Sequence, residues 1–212
     1  MKHPTTQALY AYWNSLRGER MAPRRLEIEP GRMGDILSST FILERVSEQR
    51  FTYRLAGSRI GELFAAEFRG VDFLEAWQER DRTALRTRLN TIAVQGGVVL
   101  VTVEALNALD QAVLMEMMIL PLVHQSPIAD RFLGAMAPIQ TPSWLGSQPL
   151  TSLQLLTDQI VWPDGQPHPP VNAPDPQSPF LPRIRTARIV RQDRRQFRIY
   201  DGGRQDTPQS ET

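Results

Sequence analysis

The chain has no cysteine at all in its 212 residues. Disulfides, thiolate metal sites, a cysteine nucleophile and a flavin–cysteine adduct are therefore excluded. Histidine is scarce too: His3, His124 and His168 stand far apart, with no HExxH or paired-histidine spacing to hold a metal. No GxSxG, Walker A or GxGxxG sequence occurs, and Gly96-Gly97 follows a helical pattern instead of opening one, so it ends a helix and cradles no phosphate. Without a nucleophile–base pair there is no reaction to assign, and the chain reads as non-enzymatic. His124 reads as an exposed loop histidine, which disfavours haem ligation. The longest apolar run, Ala112 to Val123, is interrupted by Glu116 and Pro121 and is too short to span a bilayer. MKHPTTQ lacks the apolar stretch of a secretory signal. A soluble, cytoplasmic protein is expected. A net charge of +1 provides no global field for nucleic acid or acidic lipid.

What is present is concentrated before Trp162, where most of the apolar 41% lies. Phe51 to Gly70 organises the rest. Phe51, Tyr53 and Leu55 alternate with Thr52, Arg54 and Ala56 as in a half-buried strand. After Gly57, with Ser58 as the N-cap, Ile60, Leu63 and Phe64 follow at helical spacing. Before it, Leu9, Tyr12, Trp13 and Leu16 make one apolar stripe on a helix over Thr5–Arg17. That stripe either packs on its own domain or docks on a second copy. PRRLEIEP, Pro23–Pro30, is an extended connector, because prolines at both ends forbid a helix interior. Thr40–Val46 is a strand that forms a hairpin with Phe51–Ala56.

Val71, Leu74 and Trp77 suggest a short helix, and Leu85, Leu89 and Ile92 stripe a long one over Arg80–Gln95. Strands follow at Val98–Leu106, Gln111–Val123 and Arg131–Pro138. Thr151 and Gln154 read as a capping box opening a helix over Ser152–Val161. Glu104 and Glu116, within apolar strands, are expected on solvated faces, since an unpaired buried carboxylate is too costly. Tyr53, Phe64, Trp77, Met115, Met117 and Met136 are candidates to line an apolar pocket for a small ligand, methionine being adaptable to varied guests; Met118 is similar, and plain core packing is the competing reading. Leu9, Tyr12, Trp13 and Leu16 are the candidates for a homodimer or partner contact.

The order of several motifs carries a resemblance. YWNSLRG (Tyr12–Gly18), PRRLEIEP, YRLAGSRI (Tyr53–Ile60), ELF (Glu62–Phe64), EFRG (Glu67–Gly70), LPL (Leu120–Leu122), RFLGAM (Arg131–Met136) and the terminal FRIYDGGR (Phe197–Arg204) together resemble a proteobacterial family of compact single-domain PAS-type proteins. Most members were first described as a domain of unknown function. Ala65 departs from the glycine expected after the Leu-Phe pair. The resemblance implies an α+β fold: a five-stranded antiparallel sheet with helices on one face, curled around a pocket. The organisation is then an N-terminal helix in 1–22, the PAS-like domain in 23–140, a linker and helix in 141–162, a proline-rich linker in 163–182 and an arginine-rich tail in 183–212. The tail carries eight arginines between Arg183 and Arg204 and is expected to be disordered. The implied function is that of a sensory or regulatory protein acting through protein–protein contacts as a homodimer, with a regulatory protein partner and an apolar ligand. A ligand-free scaffold, or a nucleic-acid-associated regulator working through the tail, are the alternatives. The lack of any folded nucleic-acid motif argues against the latter.

Overall fold

In the computed structural model, which describes residues 1–169, the apolar alternation of the sequence becomes a single six-stranded antiparallel sheet. The strands are β1 (Thr40–Arg45), β2 (Phe51–Ala56), β3 (Val98–Asn107), β4 (Ala112–Leu122), β5 (Arg131–Pro138) and β6 (Leu150–Val161), in the spatial order β2-β1-β5-β4-β3-β6. The helices are α1 (Pro4–Arg17), α2 (Ser58–Phe64) and α3 (Glu79–Gln95). The proline-rich and arginine-rich expectations beyond residue 169 lie outside the described residues.

The expected five strands are all present, and the sixth is a correction. Ser152–Val161 is strand β6, paired along β3 from Val98↔Val161 to Asn107↔Leu150, and not a helix. Two tertiary partners override the capping-box pattern. The free edge of β3 offers a full ladder, and Asp81 at the start of α3 accepts the Leu155 N–H at 2.8 Å where the register slips between Thr102 and Val103. Arg88 on α3 also pairs with Asp158 of β6.

A second correction concerns Val71–Trp77, which is a turn-rich strap and not a helix. Its backbone groups are committed to both edges of the sheet. Gly70 and Phe73 N–H groups donate to Tyr53 and Phe51 carbonyls of β2, and Val71 O accepts from Tyr53; at the other end the Leu153 N–H donates to Ala76 O and the Gln78 N–H to Leu153 O. Asp72 supports the turn by accepting the Leu74 N–H at 3.0 Å. The strap therefore links the outermost strands β2 and β6 and holds the sheet in its curl.

α2 is capped by Gly57 instead of Ser58. Ser38 O would stand 2.2 Å from a Cβ at Gly57, so only glycine fits this approach. α3 ends at Gly96 with φ 75°, as the double glycine suggests. α1 opens with His3 as its N-cap, Nδ1 accepting the Thr5 N–H at 3.1 Å, and Pro4 in the first turn, where proline is tolerated.

Candidate functional site

Strand alternation sorts the sheet into two faces with different contents. On one face Met117 pairs with Met136, Ile119 with Gly134, and Gly134 with Phe41. A Cβ at Gly134 would stand 2.1 Å from Phe41 Cζ, so the Phe41 ring lies directly over that glycine. Phe41 in turn meets Tyr53 (5.7 Å between centroids) and Phe73 (6.1 Å), and Phe73 meets Trp77 (5.7 Å). Phe68 sits 4.8 Å from Tyr53 and 5.4 Å from Phe64. This is the cup, and the strap and α2 supply its roof.

The predicted ligand-lining residues are thus brought to one region. Tyr53, Trp77, Met115, Met117 and Met136 are buried and Phe64 is half-buried. They meet aromatic neighbours: Phe41, Phe68 and Phe73 project into the space they surround. Burial pushes the Tyr53 phenol well above its usual range. Trp77 Nε1 is buried and has no hydrogen-bond partner among the described residues.

The opposite face carries α1, placed by residues of the other parity on β4. Leu9 and Trp13 are wholly buried against the sheet, and Trp13 Nε1 donates to Pro121 O at 2.8 Å. Tyr12 and Leu16 are half-buried on the flank of the helix, and the Tyr12 hydroxyl accepts the Glu29 N–H at 2.8 Å.

Beneath the start of α1 lies Glu116, only 3% exposed. This corrects the expectation of a solvated carboxylate, while Glu104 is half-buried. Glu116 is compensated by donors at and just before the start of α1: the Lys2 N–H at 2.8 Å, the His3 N–H at 3.0 Å and the Thr6 hydroxyl. Burial raises its pKa, but these hydrogen bonds, with Thr6 first, outweigh burial and hold the carboxyl below its ordinary value. Arg54 is not its partner and pairs with Glu44, alongside Arg131. The clue in the sequence was parity. Glu116 shares a face with Met118 and Leu120, so an inward position was implied, but the partner came from a segment more than a hundred residues away.

A cavity of about 360 Å³ opens on this same outer face, where the connector from Arg25 to Ser38 crosses β1, β2 and β5. Ile28, Met33 and Leu37 of the connector wall one side; Ile42 and Leu133 wall the other, with Leu55 at the mouth. No periodicity marked it, since half of its wall comes from an aperiodic segment. His124 is exposed in the turn after β4, where its N–H donates to Asp130. No group of three or more His, Asp and Glu positioned to hold a metal occurs among the described residues, and no helix there is long and apolar enough to cross a membrane.

A family model described as "PAS domain" matches residues 1–137, well over half of the chain. The chain belongs to the PAS domain family, whose members serve sensory and regulatory roles. Among solved structures, a point variant of RsLOV is similar to it at 11% identity and a TM-score of 0.39, over 68% of this chain and 72% of that one. No curated protein matches the chain. The family match over residues 1–137 includes α1.

Proposed function

We propose that this chain is a non-enzymatic, cytoplasmic regulatory protein of the PAS class, which reports through protein–protein contacts by changing how α1 sits on its sheet. The observation that carries this reading is the Glu116 site. A helix held only by an apolar stripe would slide and re-dock with little orientational preference. Here a desolvated carboxylate fixes its N-terminal end through directed bonds, which favours two discrete states, docked and released. Any signal acts by binding one of those states better than the other.

The output is contact with a regulatory protein and with a second copy of the chain. Leu9 and Trp13 are already covered by their own sheet, so the homodimer uses the flank bearing Tyr12 and Leu16. Sedimentation velocity tests this part. The full chain is expected to run as a dimer and Leu16→Ser as a monomer; equal sedimentation of the two proteins refutes the proposed contact.

A second reading is favoured by the aromatic filling of the cup: a scaffold that binds no small molecule. Native mass spectrometry of the purified protein separates the two, because a retained metabolite appears as added mass on the chain.

A further inference from the structure

Resting on that regulatory reading, we propose that the outer-face cavity, and not the cup, is the ligand site, and that it takes a medium-chain aliphatic carboxylate. The cup's interior is occupied by Phe41, Phe73 and Trp77, all at most 1% exposed. The outer-face cavity, at about 360 Å³, falls within the range of small-molecule sites, roughly 300–1,000 Å³.

Its walls identify the guest. Its apolar side chains are branched aliphatics, one methionine and one proline, with no aromatic ring among them, which suits a flexible alkyl chain better than a flat ring; Ser38, Thr40 and Ser58 add hydroxyls to the wall. Leu55 at the mouth is 48% exposed, apolar surface that such a chain would cover. The sole charged lining residue is Arg25, and its guanidinium forms no ion pair among the described residues. One guanidinium fork matches one carboxylate. A phosphate ester, with twice the charge, would call for a second cation, and none lines the cavity.

The position of the cavity gives the guest something to do. Its walls are divided between the connector (Ile28, Met33, Leu37) and the sheet (Ile42, Leu133). An alkyl chain between them would hold the connector to the sheet. The connector is tied to α1 through the Glu29 N–H and the Tyr12 hydroxyl, so occupancy would bias the docked state of that helix.

The seven methionines make the test direct. The full chain, carbon-13 labelled at its methionine methyls, is titrated with decanoate below its micelle concentration. Met33 lines the cavity, whereas Met115, Met117 and Met136 face the cup. The Met33 methyl is expected to shift saturably while those three hold still. Decanoate should bind more tightly than octanoate by roughly fourfold per methylene. Arg25→Gln should weaken decanoate about fivefold and leave decanol unaffected, as loss of a partly exposed charged hydrogen bond implies. Leu55→Trp, at a half-exposed edge position that tolerates a larger side chain, should block the mouth and abolish the Met33 shift. Movement of Met117 and Met136 with Met33 still would overturn the proposal in favour of the cup and leave the regulatory reading standing. No movement at any methyl, or equal decanoate affinity in Arg25→Gln, overturns it as well. A saturable Met33 shift with unchanged hydrogen exchange in α1 would support the site and refute the regulatory reading on which its purpose depends.

Discussion

Replacing Glu116 by glutamine is the most discriminating single change, because it keeps the shape of the side chain and removes only its charge and one acceptor. The carboxylate accepts two backbone N–H groups and the Thr6 hydroxyl. In Glu116→Gln the amide oxygen can retain some of these, but the NH₂ group must face at least one donor. Losing one hydrogen bond to a charged acceptor costs about 1.5–3 kcal/mol, and losing an anion at a helix N-terminus a further ~0.3–1 kcal/mol. Together, about 2–4 kcal/mol is removed from α1 docking. Burial of Leu9 and Trp13 opposes release by about 1.5–3 kcal/mol each, so the helix should remain docked in most molecules. Native-state hydrogen exchange is the assay. Protection of α1 amides should fall about 30-fold to 1,000-fold, at about tenfold per 1.4 kcal/mol, with the shallow denaturant dependence of a local opening. Acid should reproduce the effect in the unmodified protein. The folded-state pKa of Glu116 is depressed, so its contribution is present above the ordinary value of 4.5 and is lost as pH falls through the lower folded value. The glutamine variant should lack that acid limb. Unchanged α1 protection in the variant, or α1 amides that open only with the full denaturant dependence of global unfolding, would refute the idea of a separable, carboxylate-held helix.

Gly134→Ala should destabilise the fold by ~2 kcal/mol or more in urea unfolding, because the new methyl falls within the Phe41 ring and cup packing must rearrange; wild-type stability would mean that the cup has room to spare. Asp81→Ala removes the acceptor for the Leu155 N–H and should cost about 1–3 kcal/mol, with β6 amides exchanging faster than those of β4; equal acceleration across both strands would show that Asp81 has no particular hold on β6. Trp13→Phe keeps the apolar body of the side chain and loses the bond to Pro121 O. A drop of about 1 kcal/mol in α1 protection is expected, and no drop would assign α1 docking to apolar burial alone.

The parts of this fold that were legible in the sequence are those whose local pattern and tertiary surroundings agree. β1 to β5 alternate, α1 and α3 carry apolar stripes, and Gly96 stops a helix in the αL conformation that glycine favours. The misread parts are those where a distant partner decides. Residues 152–161 have the start signal of a helix, yet Leu153 and Leu155 bond to the strap and to Asp81, and β3 presents an unpaired edge that a helix would leave exposed. Val71–Trp77 has helical spacing, but its amides close ladders on two strands that the sequence does not show to be adjacent. Glu116 was misplaced for the same reason. Desolvation is prohibitive for an unpaired carboxylate, but the donors that pair it come from the first residues of the chain, which no local pattern around Glu116 reveals. Of the candidate cup residues, alternation puts Met115 and Met117 on one face of β4, and the β4–β5 register sets Met136 opposite Met117 on that same face. That Phe41 and Phe73 would fill the space between them depends on side-chain volumes in three dimensions, which periodicity does not encode.

The division between the two faces bears on where regulation can act. A PAS cup packed with mutually contacting rings has little freedom to report occupancy, because interiors at this density resist partial displacement. The outer face is different. It holds a directed polar anchor at one end of α1, an open apolar cavity under the connector, and a hydroxyl-mediated tie between connector and helix. Coupling needs an element with two arrangements that differ by a few kcal/mol; in the proposed reading that element is α1 on its Glu116 anchor and not the aromatic cluster. Changes in the cup should therefore alter global stability, and changes under α1 and the connector should alter the exposure of that helix.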